Sequence, residues 1–156
     1  MKRTLSMLFV AVVVMLSSLG TASAELAAAG PDAPNGRHVI VHMPTQQNVS
    51  TMALSCGSGD FCAWRTYDGS GGRCSWSNAD NDWWTAPVTC SWSSSNPVWS
   101  VYNNGANASY AGVCMYPVAN YGGNEAWWAP RGKPLQGWPV VIIRSHKWVT
   151  GGPLNC

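Results

Sequence analysis

Charge is what this chain has least of: 10% of its 156 residues are Asp, Glu, Lys or Arg. No basic stripe runs through it, so neither nucleic acid nor an acidic membrane surface is an expected partner. Long apolar runs are missing as well, apart from Met7–Leu16, which is too short to cross a bilayer. The sequence holds no GxSxG, no CxxC pair and no histidine cluster, and Glu125 is the only glutamate after Glu25. A serine nucleophile elbow, a zinc site and a pair of catalytic glutamates therefore all lack their residues. No catalytic residue and no cofactor is expected, and the chain is not read as an enzyme. Asp80 and Asp82 sit in the turn cluster SNADND, where Asp favours local backbone bonds.

What is present begins with an export signal. Lys2 and Arg3 form a basic start, Met7 to Leu16 is apolar, and Ala22-Ser23-Ala24 is a small-residue cleavage site. This is the three-part pattern of a secretory signal peptide over residues 1–24, and it predicts an extracellular protein. From Glu25 onward seven basic residues balance seven acidic ones. All six cysteines, Cys56, Cys62, Cys74, Cys90, Cys114 and Cys156, lie in the exported part. An even count in a small secreted chain predicts a disulfide framework, whose 15 possible pairings the spacing alone does not choose between.

The stretch from Val113 to Trp128 has an earlier copy of its skeleton from Phe61 to Trp76, 52 residues before it. With no gap, Cys62 falls on Cys114, Trp64 on Tyr116, Gly71 on Gly123 and Trp76 on Trp128. Two copies suit a domain of two similar halves. Residues 25–55 read as a flexible leader, polar and proline-bearing, with one strand over Arg37–Met43. His38 and His42, four residues apart in a strand, stand about 13 Å from each other and cannot share a metal ion. From Cys56 to Cys156, short aromatic or β-branched runs alternate with Gly, Asn and Ser clusters. The runs are Phe61–Tyr67, Trp83–Thr85, Val98–Tyr102, Val113–Tyr116 and Val140–Ile143. They predict an antiparallel sandwich. Of ten tryptophans about seven are expected in the core or in strand-facing pairs. The neighbours Trp83-Trp84 and Trp127-Trp128 are expected to put one ring on each sheet face, with at least one ring per pair exposed. His146, beside Arg144 and Lys147, reads as an exposed strand-end residue.

Tyr116-x4-Tyr121-x-Gly123 resembles the βγ-crystallin Greek-key signature, in which aromatics pin a folded hairpin and glycine takes a backbone conformation other residues resist. The first copy keeps Trp64 and Gly71 but has Gly69 at the middle aromatic position, where Tyr67 is a substitute. Cys56-Gly-Ser-Gly-Asp-Phe-Cys62, Trp99-Ser-Val-Tyr-Asn-Asn-Gly105 and Val113-Cys-Met-Tyr together are similar to a narrower group. These are the secreted proteins of peptidase inhibitor family 36, the family of the Streptomyces metalloproteinase inhibitor. The resemblance implies an all-β, disulfide-stapled sandwich of two βγ-crystallin-like Greek keys. It also implies a non-catalytic protein that binds a secreted protease; a monomer is expected.

By the same resemblance Cys56 pairs with Cys62, and the remaining cysteines are expected as Cys74–Cys90 and Cys114–Cys156. The segment corresponding to the inhibitory loop is Asn107–Val113, comprising Asn107, Ser109, Tyr110, Ala111, Gly112 and Val113 with the intervening Ala108. Cys114 stands where the family's closing cysteine would be, but Ser109 occupies the region of its partner, so no local disulfide braces this loop. Calcium is the second function that a crystallin-like fold suggests. Here the matching stretch, Ser95–Ser100, keeps only Asn96 and Ser100, and no tight metal site is expected. The alternative role is a carbohydrate or cell-wall binding module, for which exposed Trp and Tyr would stack on sugar rings.

Overall fold

The structure is a computed structural model that describes residues 28–42 and 54–156. The signal-peptide reading, and residues 25–27 and 43–53 of the leader, lie outside these residues. The described chain is all-β, with nine strands and two short 3-10 turns at Ser91–Ser94 and Pro153–Asn155. The strands are β1 (Ala28–Asp32), β2 (His38–Val41), β3 (Phe61–Trp64), β4 (Arg73–Trp76) and β5 (Val98–Asn103). They continue with β6 (Gly112–Tyr116), β7 (Glu125–Pro130), β8 (Pro134–Val141) and β9 (Ser145–Val149).

Two sheets form, one in the order β1-β2-β7-β6-β9 and the other β4-β3-β5-β8. The halves seen in the sequence are interleaved between them. Strand β8 follows β7 in the chain yet pairs with β5 in the sheet of the first half. In return Asp80, from the first half, makes a bridge to His146 on β9. Each half thus contributes backbone pairing to the other's sheet, by a full strand in one direction and by a single bridge in the other.

Strand alternation decides what faces inward. Phe61 and Ala63 on β3 and Val113 and Met115 on β6 point into the space between the sheets. Cys62 and Trp64, and likewise Cys114 and Tyr116, point outward into two smaller clusters. The central core gathers Phe61, Trp76, Trp83, Val101, Met115 and Trp127. Trp83 is its largest fully buried side chain, and truncation to alanine would cost about 3–5 kcal/mol.

Beyond their glycines the repeats lose step by one residue. Cys62 pairs with Ser75, 13 positions on, whereas Cys114 pairs with Trp128, 14 positions on. A one-residue slip exchanges the faces of a strand. Trp76, opposite Phe61, therefore corresponds to Ala129, opposite Val113, and both face the core, while Trp128 turns outward beside Cys114 and Ala126. The ungapped match of Trp76 to Trp128 is corrected accordingly.

Three further expectations differ. Trp83–Thr85 is not a strand: Asp82 accepts from Trp84 N through its side chain and from Thr85 N through its carbonyl, so turn chemistry overrides β propensity. Trp83 and Trp84 consequently pack on the same core. No ring of either adjacent pair is exposed; five tryptophans are buried, four are half-buried and only Trp99 is exposed. His146 is not at the surface either but fully buried, between Phe61, Trp76 and Trp83.

Within the stretch read as a leader, the described residues form two strands where the sequence suggested one. Strand β2 runs parallel to β7, and Val39 is fully buried. Arg37 fastens this hairpin by donating to the carbonyls of Gly123, Tyr121 and Cys156 while its guanidinium lies 4.6 Å from the Tyr116 ring centre. Three disulfides staple the sandwich: Cys56–Cys62, Cys74–Cys90 and Cys114–Cys156.

Candidate functional site

The segment Asn107–Val113 divides into two unlike parts. Asn107, Ala108 and Ser109 are exposed, and Tyr110 is half-buried. Tyr110 N donates to Asn107 O at 3.2 Å, and Ser109 N donates to Asn107 Oδ1 at 2.9 Å. An asparagine that opens a turn and satisfies a backbone N–H two residues on holds the loop without any disulfide. Tyr110 then leans on Trp148, with ring centres 5.9 Å apart.

Gly112 and Val113 belong to β6 and are buried, so they are not offered to a partner. Ala111 joins them to the turn, donating to Val149 O and accepting from Arg131 N. A side chain at Gly112 would collide with the Trp128 indole nitrogen, which accounts for glycine there. The exposed, presentable part is Asn107–Tyr110.

A cleft of about 400 Å³ opens beside this turn. Gly59, Ser77, Asn78, Gly105 and Trp148 line it along with Asn107 and Tyr110. Gly105 is required by close approach, since a Cβ would overlap the Trp148 ring. The opposite wall is fixed from the core. Trp83 Nε1 donates to His146 Nδ1 at 2.8 Å, leaving the proton on Nε2, which lies 3.1 Å from Asn78 O and donates to it. Burial pushes the His146 pKa down to about 3, so the ring stays neutral and keeps both bonds. Sequence reasoning missed this wall because one histidine and one asparagine 68 positions apart give no local signal.

The hairpin residues serve the frame. Tyr116 and Tyr121 meet edge to face at 5.8 Å, and Gly123 has φ +105°. Tyr116 donates its hydroxyl to Cys156 O at 3.0 Å, and burial raises its pKa to about 12. In the first half Trp64 is buried beneath Leu54 and Gly69, and Gly71 N donates to Thr66 Oγ1. Tyr67 is exposed, with its ring against Gly137.

The residues considered for calcium are engaged within the chain. Asn96 Nδ2 donates to Trp92 O and Ser95 Oγ, and Ser100 Oγ donates to Tyr67 O. Among the described residues no three His, Cys, Asp or Glu side chains gather as a metal site. Asp82 binds Arg144 through both oxygens, at 2.9 and 2.8 Å, and this holds its carboxyl below the usual range. Of the aromatic residues described, only Tyr67 and Trp99 are exposed.

No curated protein and no solved structure matches the chain. The model of one family does, peptidase inhibitor family I36, over residues 50–127, a span that begins before Cys56 and takes in the Asn107–Tyr110 turn. That span is half of the sequence, and with the disulfide-stapled two-sheet architecture it places the chain in one family: the protein belongs to peptidase inhibitor family I36.

Proposed function

We propose that the protein is a secreted, non-catalytic inhibitor of an extracellular metallopeptidase, and that Asn107–Tyr110 is the segment it presents to the enzyme. The observation that carries this reading is an exposed turn whose backbone the chain itself holds, within the stretch the family model matches. A segment already fixed in one conformation loses little entropy on binding, which favours affinity and slows its own cleavage. Asn107 supplies that fixation where a disulfide is missing. Export is supported by the basic start, the apolar run and the small-residue cleavage site, and three disulfides suit an oxidising compartment.

The test is a titration of the purified mature protein against a thermolysin-type metallopeptidase, with a serine peptidase alongside. Stoichiometric inhibition of the first alone supports the reading. Inhibition of the serine peptidase instead would keep the family role and overturn the metallopeptidase assignment.

A further inference from the structure

The Asn107–Tyr110 turn has a counterpart in the first half. Gly57–Asp60 is also closed by an i to i+3 bond, from Asp60 N to Gly57 O at 3.1 Å. Gly59, its third residue, has φ +93°, a conformation that this kind of turn reserves for glycine. Each turn ends just before the first strand of its half, β3 at Phe61 and β6 at Gly112. Gly57 and Ser58 are exposed, as are Ala108 and Ser109.

Both turns stand at one cleft. Gly59 lines it, as do Asn107 and Tyr110. Asn104, on the segment that leads into the second turn, holds the first: its Nδ2 donates to Cys56 O and Gly57 O at 3.0 and 3.2 Å. Its backbone accepts from Gly59 N and donates to Asp60 O, both at 2.9 Å. Three residues further on the chain enters the second turn. The first turn is also the better braced, because Cys56–Cys62 closes it with a sequence separation of 6.

From this arrangement we infer that the partner-binding edge is double: Gly57–Gly59 and Asn107–Tyr110 enter the substrate groove of the same extracellular peptidase. The inference rests on the inhibitor reading above and deepens it. Its support is continuity: Asn104 holds the first turn three residues before the chain enters the second, both turns border one cleft, and both lie inside the family-matched stretch. The edge is small and uncharged at its tips, Ser58 and Ala108-Ser109, which suits insertion of backbone into a narrow groove. The first turn is closed covalently by its disulfide and the second by the Asn107 side chain, so both present a fixed backbone.

Ser58→Arg and Ala108→Arg, made separately, test it against a metallopeptidase that the wild-type chain inhibits, with Leu154→Arg as a control elsewhere on the surface. Each tip variant is expected to raise the inhibition constant at least about tenfold. The control should change it by less than about twofold. If Ser58→Arg inhibits like the wild type while Ala108→Arg does not, the double edge is overturned and the Asn107–Tyr110 reading stands. A wild-type chain that inhibits no peptidase overturns both. Should Ser58→Arg melt early, amide exchange of the wild-type complex decides instead. Slowed exchange at both Gly59 and Ser109 supports the edge, and slowing at Ser109 alone overturns it.

Discussion

Ser100 and Ser145 do the same work in the two halves of the molecule. Each is fully buried on the last strand of its half, and each turns its hydroxyl onto a carbonyl of that half's folded hairpin. Ser100 Oγ donates to Tyr67 O and Ser145 Oγ to Val118 O, both at 2.7 Å. Ser145 also accepts from Tyr121 N at 3.1 Å. Replacing either by alanine removes the partner of a part-buried carbonyl, at a cost of about 0.5–1.5 kcal/mol. Ser145→Ala should lose more than Ser100→Ala, because two backbone groups lose their partner. Urea denaturation of the two variants checks the order; equal losses would mean that the Tyr121 bond contributes nothing.

Acid should weaken the fold through His146. Its folded pKa of about 3 lies below the ordinary 6.5, so the fold favours the neutral ring. That contribution is fully present above pH 6.5 and is lost progressively as pH falls toward 3. The Asp82–Arg144 pair acts lower, since the Asp82 carboxyl starts below 3.8, and being partly exposed it contributes little. Stability measured from pH 7 to 4 should fall in the wild type and stay flatter in His146→Asn. Parallel profiles would show that the histidine does not set the slope.

The disulfides should rank by the loop each closes. Cys114–Cys156, at a separation of 42, restrains the unfolded chain by about 4 kcal/mol in the chain-entropy model, and Cys56–Cys62, at 6, by about 2 kcal/mol. Paired serine substitutions followed by thermal melting should reproduce that order. Loss of the longer loop should also disturb the Tyr116 hydroxyl and Arg37, both of which donate to Cys156 O.

Arg37→Ala should loosen the β1–β2 hairpin. Its three bonds go to carbonyls of distant loops, and charged donors of this kind are worth on the order of 1.5–3 kcal/mol when buried, less here because the group is half-exposed. Faster amide exchange at Val39 and Ile40, with β3 unchanged, is the expected signature. Uniform exchange would mean the hairpin opens only with the whole domain.

The two-half organisation was legible because cysteine, glycine and aromatic residues recur at one spacing, and the runs around Phe61, Val98 and Val113 became strands. Strands β4, β7 and β9 escaped notice because each is short and mixes polar residues with aromatics, so alternation carries little contrast. Strand β8 overlaps the expected Val140–Ile143 run only at its end, because Pro134, Gly137 and Pro139 interrupt the alternation before it, although a strand at the margin of its sheet tolerates them. The candidate loop was placed by resemblance, ahead of Cys114, and the turn that Asn107 closes in its exposed half is seen only in the fold. Nor could its buried half be read, because Gly112 looks flexible until Trp128 is seen to fill the space a side chain would need. The cleft depends on His146, Asn78 and Trp148, which meet only through the fold.

The most direct test of the inhibitor reading compares the wild-type chain with one in which residues 107–110 are replaced by four glycines. Both are titrated against the same thermolysin-type metallopeptidase, with melting temperatures measured in parallel. The predicted result is a one-to-one end point for the wild type and a loss of about 100-fold or more in the variant, with similar melting. Equal inhibition by the two chains, or none by the wild type, would contradict it.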